Sequence, residues 1–504
     1  MTRLWIGLAA VLLLGAADPW IDASSQDLNG YVRALSLDLR GVVPTEAELT
    51  EIEEEGHLSE TILDVWLASP EFETVVVGKH QELFWNNLEI NLLNTRRLVN
   101  RDGIVTGIPR SRYTRGVPQT ECLDYEADVD SLNRPLSWET NPDDSRSEGW
   151  VWVTPYWAPD TPMKVCAYDA QLTEYSAAGP HCSTPEGHME SDCGCGPNLQ
   201  WCFHNSEEST IEEGISGDLD RRVRGMLQTG TSYTEMLTGS TIYVNGPTVH
   251  FYRHIAQFAP DNYESPIPLV TLPEIDYADQ SFVPVTLEDY HDGIFTSPGW
   301  LLRHQTNRGR ANRFYSAFLC SEFIPAEEEV SGLTGTVVPS PDLQMREGCL
   351  SCHARLEPWA AYWGRWNEAA AIYRSADAYP AYLEECAMCA TAGTACSDFC
   401  EDNYLVESSH SDELPYLGWL NTYAFLEGDK SAHPDLGPLG WVLKSQESGD
   451  FSQCGVTRAA DWLLNWDSNP ENVEAWAEDF AADDDYRAMV KRIVMSGPYW
   501  GGAE

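Results

Sequence analysis

Cys349, Cys352 and His353 stand together in the run Cys349-Leu350-Ser351-Cys352-His353, and one chemistry uses all three. Two thiols separated by two residues meet the two vinyl groups of a single porphyrin and form thioethers with it. The adjacent imidazole then lies beneath the iron as its proximal ligand. The run therefore reads as the attachment site of one covalent haem c, with Cys349 and Cys352 bound to the ring and His353 bound to the iron. Two rivals use the same residues. A thioredoxin-like dithiol follows a strand and opens a helix in an α/β unit, whereas Gly, Pro and Ser crowd residues 331–342 ahead of this motif. Zinc needs two further ligands nearby. The sixth iron ligand stays open among Met345, His304, His433 and Met388, with His410, Met489 and Met495 also in view. A Met there raises the reduction potential relative to His, and an empty position admits a small molecule.

Thioether attachment of this kind takes place outside the cytoplasm, and the first residues read as an export signal. Arg3 precedes an apolar run from Leu4 to Leu14, and Gly15-Ala16-Ala17 offers small residues for cleavage before Asp18. The run is shorter than the roughly 20 residues a spanning helix needs, so the mature chain is expected to be soluble, periplasmic or secreted. Fourteen cysteines fit that setting. Setting aside the haem pair leaves an even number, clustered as Cys166, Cys182, Cys193, Cys195 and Cys202, and as Cys386, Cys389, Cys396 and Cys400, with Cys122, Cys320 and Cys454 apart. In the second cluster disulfides are favoured over zinc. Acidic residues number 79 against 31 basic ones, a net charge of −48. Such a surface repels phosphate backbones and argues against a nucleic-acid ligand; a docking redox partner should be basic.

The elements that must position the motif are mostly helical. Leu28, Val32, Leu35 and Leu39 recur at helical spacing. Thr45 and Glu48 form a capping-box pattern after Pro44, and Ser69-Pro70 reads as an N-cap with Pro at the first helical position. From about 101 to 210 the periodicity fades among Pro, Gly, Asp, Ser, Trp and the first Cys cluster, which reads as an irregular, disulfide-stapled insertion with short strands near Trp150–Val153. Helical spacing returns at Leu219, Val223, Met226 and Leu227, and across 287–330. After the motif, Trp359, Tyr362, Trp363, Trp366 and Tyr373 make one aromatic face, equally suited to walling a haem and to plain core. The acidic runs Asp128, Asp130 and Asp483–Asp485 lack calcium-loop spacing, and no Gly-x-Ser-x-Gly, P-loop or His-Glu-x-x-His motif occurs.

Several of these stretches resemble the secreted planctomycete-type cytochrome families. Leu35 to Leu49 and Leu67 to Phe72 resemble their N-terminal helical domain, and Tyr233 to Gly246 their central one. Asp292 through Arg313 to Cys320 is similar to the segment before their haem motif, where Cys349 to His353 then falls, and Tyr486 to Ser496 is similar to their final helices. Where that family has Asp-Pro-Ile-Gly-Phe after the motif, this chain has Leu356-Glu357-Pro358-Trp359-Ala360. The resemblance implies a mostly helical fold and a haem c, and no particular substrate.

The expected fold class is mainly α: a multi-domain helical protein with irregular disulfide-rich insertions and a class-I-like c-haem segment. Its expected parts are a signal peptide at 1–17, an N-terminal helical domain at 18–115 and a Cys/Trp-rich insertion at 116–212. A central helical domain with a Pro-rich connector follows at 213–286, then the haem segment at 287–376, a Cys-rich insertion at 377–410 and a C-terminal helical domain at 411–504. The expected role is electron transfer, or service as a redox subunit, outside the cytoplasm. The alternatives are an extracellular binder of carbohydrate or protein with an accessory haem, and a haem-dependent oxidoreductase or peroxidase, which would need an open iron position and a distal acid–base group.

Overall fold

Leu28, Val32, Leu35 and Leu39 form one face of the helix Leu28–Arg40, in which Val32, Leu35 and Leu39 are fully buried. The computed structural model describes residues 28–88, 97–107, 121–140, 142, 146–184, 186–187, 190, 192–255, 263–267, 269–270, 272–287, 291–321, 341–346, 349–368, 370–423, 433–464 and 470–496. The expected signal segment lies outside them. Two units emerge: 1–75 with 456–476 and 487–504, and 76–455 with 477–486.

The first unit is helical. Thr45 caps the helix Glu46–Glu55 through the reciprocal capping box with Glu48. The Glu48 carboxylate also accepts from Arg40 at 3.0 Å and from the Trp66 indole at 2.7 Å. Burial opposes its charge, but these donors and the Thr45 N–H outweigh it and hold the carboxyl down at about 2. The Arg40 guanidinium lies 4.2 Å over the Trp66 ring, so one ion pair and one cation–π contact share a cation. Ile52, Leu63, Trp66, Leu67, Met489, Val490, Ile493 and Val494 are buried here, and Lys491 pairs with Asp64 at 2.7 Å and Glu60 at 3.3 Å.

The second unit corrects part of the expected fold. The described part of 116–212 is irregular and disulfide-stapled over much of its length, but its short strands, with residues 97–107, also build a seven-stranded mixed sheet that was not expected. Its strands are β1 Arg97–Arg101, β2 Ile104–Gly107, β3 Glu121–Glu126, β4 Glu139–Thr140, β5 Arg146–Val153, β6 Met163–Cys166 and β7 Phe203–His204. The order is β3-β5-β6-β2-β1-β7, with β4 beside β5; β5 does contain Trp150–Val153. These strands are too short to display a two-residue alternation over several turns of pattern. Asp102 and Gly103, both at positive φ, turn β1 into β2, the pairing that a tight hairpin requires. Among the described residues helix still outweighs strand, about 52 % to 13 %, so the described fold is helix-rich and mixed, not all-α.

Ten of the fourteen cysteines are bridged: Cys182–Cys193, Cys195–Cys202, Cys320–Cys454, Cys386–Cys400 and Cys389–Cys396. The second cluster therefore consists of two disulfides joining the helix Glu384–Ala392 to the helix Asp398–Asn403 through Cys400 and to the turn before it through Cys396. Five bridges suit an oxidising compartment. No described helix is long and apolar enough to cross a membrane.

The rest of the unit frames the 287–376 segment. The helix Glu208–Thr229 buries the pair Asp218–Arg222 at 3.0 Å, and the hairpin β8 Thr241–Val244 and β9 Val283–Thr286 hydrogen-bonds to it through Tyr243 N–H and Asp218 at 2.7 Å. The helical run His433–Glu447 breaks at Gly437, which has a positive φ and a ψ that no helix adopts. Beyond the break, Asp292 caps the helix from another part of the chain: its Oδ2 accepts the Leu439 N–H at 3.1 Å. A Cβ at Gly437 would lie 2.4 Å from that oxygen.

Burial pushes the Asp292 carboxyl up to about 6, against the Leu439 N–H that lowers it. A carboxyl that binds its proton more tightly folded than unfolded loses stability as pH rises from about 4 to about 6. Asp292→Asn keeps an acceptor for Leu439 and removes the charge. We expect the variant to be more stable than the wild type above pH 6 by roughly 2–3 kcal/mol, with the difference vanishing near pH 4. Urea titrations across that range measure it; a gap independent of pH would refute the assignment.

Candidate functional site

The motif occupies the first turn of the helix Leu350–Ala360. Cys349 is its N-cap residue and carries no side-chain cap bond; its carbonyl accepts the His353 N–H at 3.0 Å. Cys349 and Cys352 are both unbridged and half-buried. Residues three and four apart on a helix share a face, so both thiols and the imidazole are presented by one turn and the next.

One helical turn beyond His353 lies Glu357, only 1 % exposed. Its Oε1 accepts from His353 Nδ1 and from Arg308 Nε, the latter at 2.7 Å. Arg308 comes from the helix Asn307–Phe318, which packs beside the motif helix. Burial weakens the guanidinium's hold on its proton, but the hydrogen bond and charge of Glu357 outweigh that and raise Arg308 above its ordinary value. The second carboxylate oxygen, Glu357 Oε2, is buried with no hydrogen-bond partner in the described structure. With Nδ1 engaged by a carboxylate, the Nε2 of His353 is left as the lone-pair atom, the arrangement that fixes a metal-ligating imidazole.

Arg310 anchors this platform from below. It is fully buried and donates to the His304, Leu301 and Asn367 carbonyls at 2.9, 3.3 and 2.8 Å and to Asn307 Oδ1 at 2.7 Å. Burial lowers its pKa to about 9. Thr306 caps the Asn307–Phe318 helix through the Gly309 N–H, and the Asn307 N–H donates to Glu368 at 2.9 Å.

The aromatic run after the motif is core. Tyr362, Trp363, Trp366 and Tyr373 are buried. Trp359 stacks on Trp441 at 4.6 Å, and Trp441 on Phe314 at 4.0 Å. The Trp363 indole donates to the Phe295 carbonyl at 2.9 Å. Pro358, in the last turn of the motif helix, removes one internal hydrogen bond, and the chain tightens into the turn Ala361–Trp363.

The candidate sixth ligands differ in what they have to offer. His304 is buried and its Nε2 is bonded to the Phe84 carbonyl at 3.2 Å. Met345 and Met388 are 72 % and 58 % exposed. His410 caps its own turn through the Asp412 N–H, and Met489 is buried in the first unit. The side chain of His433 lies outside the described residues. Among the described residues, no group of three or more His, Cys, Asp or Glu side chains is placed to hold a metal ion. Glu357 and Arg308 were not singled out from sequence. Glu357 carries a signal, four residues after His353 on a helix; Arg308 carries none, because only the fold brings it near.

No protein-family model matches the chain, and comparison with curated proteins and with solved structures returned no match.

Two free thiols and an imidazole with its Nδ1 occupied form a donor set that fits a covalently attached haem. Arg308→Met removes the guanidinium bonded to Glu357 at 2.7 Å and leaves the buried carboxyl group held by the imidazole alone. We expect a loss of about 1–3 kcal/mol in denaturant unfolding, with much of it regained in Arg308→Met/Glu357→Gln. A double variant as unstable as the single one would show that the pair is not coupled.

Proposed function

We propose that the protein is an exported mono-haem c-type cytochrome, acting in electron transfer or as a redox subunit in the periplasm or outside the cell. The observation that carries this is the fate of the thiols: ten cysteines are bridged, while Cys349 and Cys352 remain free on one helical turn beside His353. Cys349 and Cys352 would hold the ring through thioethers, and His353 Nε2 would ligate the iron. The haem, when bound, supplies a one-electron couple. Glu357 holds the Nδ1 proton of His353, fixes the ring orientation and makes the imidazole a stronger donor. Arg308 neutralises Glu357 from the far side. The resemblance to the planctomycete-type cytochromes, sharp only at residues 349–353, belongs to this proposal. The net charge of −48 favours a basic redox partner.

The binding-protein reading has its own observation. Trp152 on β5 and Trp138 are 55 % and 46 % exposed, and tryptophan is a side chain that interfaces favour. Quenching or shift of tryptophan fluorescence by oligosaccharides, lost in Trp152→Ala, would support it. The oxidoreductase reading needs an iron with a free position, and carbon monoxide binding to the reduced protein separates it from a pure carrier.

The decisive test is the absorption spectrum of the reduced protein in alkaline pyridine. One haem c per chain is expected, with haem stain on a denaturing gel reduced or lost in Cys349→Ser and Cys352→Ser. A protein without covalent haem after export into a host that matures c-type cytochromes ends the proposal. Glu357→Gln is expected to retain the haem and shift the midpoint potential upward, because a neutral amide leaves His353 a weaker donor. An unchanged potential would mean that Glu357 does not reach the iron through His353.

A further inference from the structure

Once the five bridges and the motif pair are accounted for, two of the fourteen cysteines remain, Cys122 and Cys166. They are not scattered. Cys122 lies on β3 opposite Glu148, and Cys166 on β6 opposite Trp150, so they flank β5 on either side of Gly149. The Gly149 carbonyl oxygen takes the Cys122 thiol at 3.4 Å and the N–H of Ala167, the residue after Cys166, at 3.0 Å, so the two cysteines converge on one backbone atom. The Cys166 thiol is directed in turn at the buried Glu148, 3.9 Å from its Oε1. The strands converge here. The β3–β5 register slips between Cys122 and Glu126, and a Cβ on Gly149 would lie 2.3 Å from the Tyr125 carbonyl oxygen. A bulge of this kind draws one strand across its neighbour, and only glycine leaves room for it.

From this convergence we infer that Cys122 and Cys166 are the sites of a sixth disulfide, which staples β3 to β6 across β5. The sulfur–sulfur bond forms as both S–H bonds break. Two protons leave, and two electrons pass by thiol–disulfide exchange to the disulfide of an exported dithiol oxidoreductase, which ends as a dithiol. Cys166 is 1 % exposed, and burial, together with the neighbouring Cys122, raises its thiol well above the ordinary range. A buried, protonated thiol exchanges slowly, so the bond closes while the sheet is still assembling and is then shielded. The consequence reaches the motif. With this pair closed, Cys349 and Cys352 are the only thiols left in the chain for any electrophile to find. The inference itself does not depend on the haem reading.

The test is a thiol map of the full-length protein. Cells are lysed with an alkylating reagent already present, and the protein is unfolded in guanidinium without reductant, digested and analysed by mass spectrometry. The expected result is a peptide pair joining Cys122 to Cys166, two hydrogens lighter than the two thiol peptides together, with no alkyl label on either residue. Label on both, or either one joined to another cysteine, overturns the inference. In Cys122→Ser, label is expected to appear on Cys166; an unlabelled Cys166 there overturns it as well. The same digest shows Cys349 and Cys352 as haem peptide or as alkylated thiols, so failure of the haem proposal and failure of this one read out on different peptides.

Discussion

A single carboxylate sets the geometry around the motif. Glu357 is buried, and a buried charge is tolerated only when its partners are in place. Here they are an imidazole from its own helix and a guanidinium from the next. That requirement ties three things together: the rotamer of His353, the contact between the helices Leu350–Ala360 and Asn307–Phe318, and the charge state of Arg308. Arg308 is in turn held by the turn that Arg310 stitches to the Leu301, His304 and Asn367 carbonyls. The orientation of the His353 imidazole is thus set by a network that spans Leu301 to Asn367, not by the five-residue motif alone.

The aromatic stack serves the same end by different physics. Phe314 and Trp441 meet at 4.0 Å and Trp441 and Trp359 at 4.6 Å. Large rings in offset contact bury much area with few rotatable bonds. They fix the Asn307–Phe318 helix against the end of the motif helix, while Asp292 fixes the helix that carries Trp441. Dispersion and burial hold the frame, and a small number of charges set the direction of the side chains within it.

Much of this was legible in the residues. The capping box at Thr45 and Glu48, the N-cap at Ser69 and the apolar face of Leu28–Arg40 follow from local rules, and local rules survive folding. The motif triad was legible for the same reason, since its geometry is set within one helical turn. The sheet was not. Its strands run from two to eight residues, several carry polar residues that end up buried, such as Ser147 and Glu148, and three of the pairings, β1–β7, β2–β6 and β3–β5, join strands that are not consecutive in the chain. One local signal was present: Asp102-Gly103 between Val99 and Val105 marks a tight hairpin. Arg308 illustrates the other limit, because a partner 49 residues away leaves no trace in spacing.

The two Cys-x-x-Cys runs show how one spacing reaches two fates. Cys386 and Cys389 lie on one helix, as Cys349 and Cys352 do, and both pairs present sulfur on neighbouring turns. The first pair faces the short helix Asp398–Asn403 and the turn before it, where Cys400 and Cys396 supply a partner for each sulfur. Closing loops of 14 and 7 residues costs little chain entropy, so those bridges are the natural outcome. The motif pair has no such neighbours in sequence. The nearest other cysteines are Cys320 and Cys386, and both are already committed, Cys320 to Cys454 and Cys386 to Cys400. With those two committed, neither neighbouring cysteine in the sequence is left to bridge a motif thiol. A further cysteine placed on the adjoining helix would turn the same motif into a staple.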